Sequence, residues 1–271
     1  MDVSFDVSDQ LAEFRSGLFT CNDIKLDCSF FEKIAMSSLR LSGMKDLTIP
    51  GSKMNTSGAS SDERLDDNHV VAITRGISSS NVPLLTLSLR NHRITDIGFG
   101  TICSVIVMRR QLLHLDLDGN SIEGNNMSVL GLSSRECSLK KLNLSNNPLS
   151  KTAGMRIADD MRTNIGLVSL EIRNNGLCLS VIIALATTLQ LSRCLEVLSI
   201  DRPLLDISTK QEEGIDHLSR LLESAFCPLQ QLSIRYHCIG DIGAKFLSSS
   251  LRNNYILTYL DLERNRVGPS G

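Results

Sequence analysis

The chain has 271 residues, enough for one or two ordinary domains. Its 28 basic and 30 acidic residues leave a net charge of −2, so no global field draws it to nucleic acid or to a membrane, and neither is expected as a partner. Eight cysteines without paired spacing, no apolar segment after Met1 and no run long enough to span a bilayer weigh against a secreted or membrane protein; reduced thiols in the cytoplasm or nucleus are expected.

Residues 1–43 are expected to form a cap at the N-terminal end of the chain. A degenerate five-position pattern is visible there at Cys21, Ile24, Leu26, Ser29 and Phe31, and Ser29-Phe-Phe-Glu32 has the capping-box spacing that starts a helix. The pattern returns at Met44, Leu47, Ile49, Ser52 and Met54. The insertion 51–68 after it is rich in small and polar residues that cannot bury enough surface to offset ordering entropy. It reads as a mobile loop, with a partner-binding or phosphorylated loop as the alternative.

From Leu84 onward the five positions recur without a gap. They fall at Leu84, Leu87, Leu89, His92 and Ile94, then at Leu112, Leu115, Leu117, Asn120 and Ile122. Leu139, Leu142, Leu144, Asn147 and Leu149 come next, then Leu167, Leu170, Ile172, Asn175 and Leu177. The last three copies are Leu195, Leu198, Ile200, Pro203 and Leu205; Leu229, Leu232, Ile234, His237 and Ile239; and Leu257, Leu260, Leu262, Asn265 and Val267. The third copy fits L-x-x-L-x-L-x-x-N-x-L throughout, which is the leucine-rich repeat signature, and the spacings are 28, 27, 28, 28, 34 and 28 residues.

Between signatures a second pattern has helical spacing. Gly98, Ile102 and Ile106 in one repeat, Val181, Leu185 and Leu189 in another, and Gly243, Leu247 and Leu251 in a third step by four residues and share one helix face. With an insertion around 206–213 the 34-residue repeat supplies Gly214, Leu218 and Leu222, and the repeat after Met44 supplies Ile73 and Ile77. Each unit is therefore predicted to be a short strand, a loop and a helix, with an apolar face that only its neighbours can cover. Residues 44–271 form an array of about eight such repeats. The last is incomplete: the chain stops at Gly271, where its helix should begin, so further repeats or a second copy of the chain are expected against that end.

The array resembles the ribonuclease-inhibitor-type leucine-rich repeat class. That resemblance implies an α/β solenoid, a horseshoe with a parallel β-sheet on the concave face and α-helices on the convex face. It implies little about function, because inhibitors, actin-capping proteins and GTPase activators all use the class. In this fold the signature asparagine sits inside the turn after the strand and satisfies backbone groups there. Asn120, Asn147, Asn175 and Asn265 fit that structural role; His92, His237 and Ser52 are polar substitutes, and Pro203 should reshape its turn.

Equal positions of neighbouring repeats form columns across the sheet. One column reads Arg90, Asp118, Ser145, Arg173, Asp201, Arg235 and Glu263, either a lateral ion-pair ladder or a charged recognition stripe. The next reads Asn91, Gly119, Asn146, Asn174, Arg202, Tyr236 and Arg264, and its tyrosine between two arginines permits cation–π contact. Arg90, Asp118, Arg173, Asp201, Arg202, Arg235, Tyr236, Tyr259, Glu263 and Arg264 are the candidate protein-binding residues. Cys227, His237 and Cys238 lack the spacing of a zinc site, and no phosphate-loop, nucleophile-elbow or metalloprotease motif occurs. The expectation is a non-enzymatic protein-interaction scaffold without cofactor or metal. The alternative is a GTPase-activating protein, since Asp261–Gly271 resembles repeats of the Ran GTPase activator family, although the acidic C-terminal tail typical of that family is absent.

Overall fold

The structure is a computed structural model. It describes residues 18–20, 45–51, 64–79, 83–105, 107–203, 211–224 and 227–271. The chain divides into two compact units, Met1–Ser121 and Ile122–Gly271.

In the first unit the strands are β1 (Leu18–Thr20), β2 (Asp46–Thr48), β3 (Thr86–Ser88) and β4 (His114–Asp116), and the helices are α1 (Asp67–Ser79) and α2 (Asp96–Val105). The strands lie parallel in chain order, with Leu47 opposite Leu87 and Leu87 opposite Leu115. Parallel neighbours need a long crossover, and the insertion-bearing repeat and its successor supply one each through α1 and α2. Leu87, Leu89, Ile94, Phe99 and Ile102 are all fully buried, so the signature leucines and the helix face meet in one core. Ile73 and Ile77 are likewise buried on α1. Strand β1 pairs Leu18 with Asp46 and Thr20 with Thr48, the same 28-residue step seen elsewhere. That register corrects the expected pattern at Cys21, Ile24 and Leu26, which would start the strand about five residues later. The rest of the expected cap lies outside the described residues, as do Met44, Ser52, Met54, Ile106, Leu205 and most of the 51–68 insertion.

The second unit contains β5 (Lys141–Asn143), β6 (Ser169–Glu171), β7 (Val197–Ser199), β8 (Gln231–Ser233) and β9 (Tyr259–Asp261). Its helices are α3 (Lys151–Met161), α4 (Leu179–Leu189), α5 (Gln211–Glu223) and α6 (Asp241–Leu251). Leu142, Leu170, Leu198, Leu232 and Leu260 stand in register across the five parallel strands. Ile157, Leu185, Leu218 and Leu247 face them from the four helices, each buried to 2% exposure or less. The fold is thus an α/β leucine-rich repeat solenoid.

One expected helix is missing. Between Leu112 and Leu139 the crossover holds only a 3-10 turn, Met127–Leu130, ended by Gly131 at φ +61°. The sequence explains the difference: Ser134 stands where the third apolar helix position belongs, and Gly124 and Gly131, both at positive φ, bracket the turn. Met127, Leu130 and Leu132 cover the core there.

Successive repeats are also tied at both ends of the helices. Asp67, the first residue of α1, accepts from Thr95 N (2.9 Å), Thr95 Oγ1 (2.6 Å) and Gly98 N (3.0 Å), so it caps α2 from the repeat before. Asp241 accepts from Gly268 N (2.6 Å) in the corresponding way. At the opposite edge Asn164 donates from Nδ2 to Leu132 O (2.6 Å) and accepts from Gly166 N and Leu167 N at Oδ1. Asn254 does the same with Leu222 O, Ile256 N and Leu257 N.

Candidate functional site

The turn after each strand sets the geometry of everything beside it. Asn120 donates from Nδ2 to Leu89 O (2.8 Å) and Leu117 O (2.9 Å) and accepts from Ile94 N (3.1 Å). Asn265 repeats this with Ile234 O, Leu262 O and Ile239 N. Asn147 donates to Leu144 O and Ser145 O and accepts from Ile122 N. Each side chain closes its own turn and holds a neighbouring backbone group, which leaves few buried amides unpaired. Asn175 departs from the set: it donates to Leu144 O (2.9 Å), but its buried Oδ1 has no partner. The cause is Pro148, after which Leu149 N turns inward to Asn147 O (2.8 Å) instead of outward to Asn175.

The two histidines do the work of asparagine. His92 Nε2 donates to Ile49 O (2.9 Å) while its Nδ1 accepts from Leu65 N (3.1 Å), and His237 Nε2 donates to Ile200 O (2.8 Å). These contacts assign the Nε2–H tautomer. Burial holds both imidazoles well below the usual histidine range, at about 4. Pro203 offers no side-chain donor, and the segment after it lies outside the described residues.

The first column is a set of short ion pairs with breaks between them. Arg90 pairs with Asp118 (2.8 Å) and approaches Asp116 (3.5 Å) in the first unit. In the second unit Arg235 pairs with Glu263 and lies 3.8 Å from Asp261, which also accepts from the Tyr259 hydroxyl (3.2 Å). Arg173 pairs within its own strand, with Glu171. Asp201 meets neither arginine side chain: its Oδ1 accepts from Ser233 Oγ (2.6 Å) and Arg235 N (2.9 Å), as Ser145 Oγ accepts from Arg173 N (3.2 Å). Of the lateral ion-pair ladder, the pairs Arg90–Asp118 and Arg235–Glu263 join neighbouring repeats, whereas Arg173 is neutralised within its own repeat by Glu171.

The second column has a property that residue type alone hints at. Asn91, Gly119, Asn146, Asn174, Arg202, Tyr236 and Arg264 all adopt left-handed backbone, with φ between +50° and +71°. Asparagine and glycine take this conformation readily, whereas other residues sit there at a cost of roughly 1–2 kcal/mol. Arg202, Tyr236 and Arg264 bear that cost on three successive strands. The Arg202 guanidinium lies 4.5 Å from the Tyr236 ring centroid, a cation–π contact, and the exposed Arg264 is 3.4 Å from Glu263. Among the described residues no group of three or more His, Cys, Asp or Glu side chains could hold a metal ion.

The family models described as Leucine Rich Repeat and Leucine Rich repeat match residues 138–155 and 227–248. Human NACHT, LRR and PYD domains-containing protein 14 is 26% identical over 233 residues, 76% of this chain and 21% of that protein. Mouse NACHT, LRR and PYD domains-containing protein 5 is 24% identical over 269 residues, 97% of this chain and 20% of its own length. Mouse ribonuclease inhibitor is 23% identical over 209 residues, covering 76% of this chain and 39% of the inhibitor. The chain thus spans about a fifth of the length of the first two. With the strand, asparagine turn and crossover repeating through both units, the chain is a leucine-rich repeat protein of the ribonuclease-inhibitor type.

Proposed function

We propose that the chain is a non-enzymatic protein-interaction scaffold whose contact patch is the strand-to-helix edge at Arg202, Tyr236 and Arg264, together with the open face of the sheet beside it. The observation that carries this reading is the left-handed backbone of these three residues. Four other repeats fill the position with asparagine or glycine, while these three place large side chains where the backbone disfavours them. Strain of this kind persists where the side chain does something the fold does not need, and tyrosine and arginine are the types enriched at interface hot spots. The neighbouring Arg173 and Arg235 support the patch through their ion pairs. The likeness to a ribonuclease inhibitor, a protein named for binding another protein, agrees with it.

The test uses the residue that the other repeats carry. The triple change Arg202→Asn, Tyr236→Asn and Arg264→Asn should abolish recovery of the partner from lysate while leaving the melting temperature unchanged or higher, because asparagine relieves the strain. Arg162→Ala and Lys245→Ala, on exposed helix-side positions, should leave recovery intact. Retention by the asparagine variant would place the contact elsewhere. A reducing compartment, cytoplasm or nucleus, suits the six described cysteines, all of which are free. No described helix is long and apolar enough to cross a membrane. A second copy of the chain, at the outer edge of β9, is a further partner we propose. The GTPase-activator alternative rests on the sequence resemblance of Asp261–Gly271 alone.

A further inference from the structure

We infer that the edge formed by Arg202, Tyr236 and Arg264 receives an acidic segment of a partner protein, two carboxylates of which pair with Arg202 and Arg264. The inference rests on the reading of that edge as the contact patch and adds the chemistry of what it takes.

The four arginines that the two columns place in the second unit fall into two classes. Arg173 and Arg235, on the open face, are already neutralised by Glu171, Glu263 and Asp261, so a partner would have to break an existing pair to use them. Arg202, among the described residues, has no carboxylate partner at all. Its guanidinium is nevertheless held over the Tyr236 ring, and a guanidinium stacked on an aromatic face keeps its N–H fork available to a carboxylate. An oriented, unneutralised guanidinium loses little freedom on pairing with a carboxylate, which is the condition under which a charge-assisted bidentate contact contributes most. Arg264 is 66% exposed, and Glu263, its only ionic contact among the described residues at 3.4 Å, is shared with Arg235.

The spacing defines the ligand further. Positions 202, 236 and 264 come after β7, β8 and β9, so Arg202 and Arg264 stand about two strand spacings apart, roughly 10 Å. A peptide in the polyproline II conformation rises about 3.1 Å per residue with three residues per turn, so acidic residues three positions apart lie on one face and match that distance. Tyr236 between them offers an aromatic surface to the intervening residues. A nucleic acid fits less well: its continuous phosphates would extend over Asp201, Asp261 and Glu263, which flank the same edge, whereas two discrete carboxylates need not.

The probe is a fluorescein-labelled extended peptide with two glutamates three residues apart, compared by anisotropy with the same peptide carrying glutamines. The glutamate peptide should bind at least about tenfold more tightly, and increasing salt should erase the difference. R202N and R264N should each remove most of that preference, and R202E/R264E should transfer it to the lysine version of the peptide, with circular dichroism showing each variant folded. R162E, at an exposed position on the helix side, should leave it unchanged. Equal binding of the glutamate and glutamine peptides overturns the inference, and so does a uridine oligomer that binds more tightly than the glutamate peptide. If the asparagine triple variant loses its lysate partner while no peptide preference is found, the scaffold reading stands and the acidic ligand falls.

Discussion

His92 and His237 occupy the turn position that asparagine fills elsewhere, and each donates from Nε2 to the carbonyl just past the strand of the preceding repeat. The imidazole must therefore stay neutral inside the core, and burial lowers its folded pKa from 6.5 to about 4. Between those values the unfolded chain binds a proton that the folded chain refuses. The stability these residues give is complete above about pH 6.5 and is lost as the pH falls toward 4, each costing about 2 kcal/mol at pH 5. His92→Asn and His237→Asn together should remove most of the fall in urea midpoint between pH 7 and pH 5; an unchanged fall would show that other groups carry it. The sequence marks these histidines as turn substitutes, since they stand at the signature position. It does not mark the neighbouring column so plainly. Asn91, Gly119, Asn146 and Asn174 are types that tolerate left-handed backbone, and that clue is legible once three further members break it. Asn146 shows the gap between the two readings: it is exposed, yet its φ of +53° and its acceptance from Asn174 Nδ2 (2.9 Å) make it more than surface.

Whole elements were more legible than the ties between them. The strand registers, the helix faces and the insertion-bearing repeats emerge from the five-position pattern, because burial of leucine at a fixed period leaves few other arrangements. The helix lost between Leu112 and Leu139 also had a signal, Ser134 in an apolar slot, but the prevailing period masked it. Less visible was the closure of each helix onto its neighbour. Asn81-Val-Pro-Leu84, Asn164-Ile-Gly-Leu167 and Asn254-Tyr-Ile-Leu257 all put asparagine three residues before a signature leucine, and three copies among eight repeats are too few to stand out. Asn164 is 4% exposed and holds Leu132 O, Gly166 N and Leu167 N at once. Asn164→Ala strands those buried groups and should cost about 1–3 kcal/mol, while Asn253→Ala at an exposed neighbour of the second copy should stay within about 0.5 kcal/mol. Urea midpoints at constant slope compare them, and coincident curves would contradict the closing role.

At the scale of the molecule, the outermost repeat of the second unit is packed on one side. β9 pairs with β8 through Tyr259, Leu260 and Asp261, and among the described residues no strand pairs with its other edge. The signature leucines Leu229 and Leu232 are 2% and 0% exposed, whereas Leu257, Leu260 and Leu262, their successors, are only half-buried. Around them Phe246, Tyr255, Ile256, Tyr259 and Val267 are all at least 38% exposed. A strand edge left unpaired among the described residues, beside exposed apolar side chains, is a template for association, and a two-fold contact between copies would cover both edges with one patch. The 271-residue chain should accordingly show concentration-dependent dimerisation by analytical ultracentrifugation. Tyr255→Glu with Phe246→Glu should shift the equilibrium toward monomer by placing charge in that surface, while the circular-dichroism spectrum stays the same. Arg202→Asn, at the proposed contact patch, should leave self-association unaltered, which separates the two surfaces. A chain that remains monomeric across the accessible concentration range would remove the second copy from its partners.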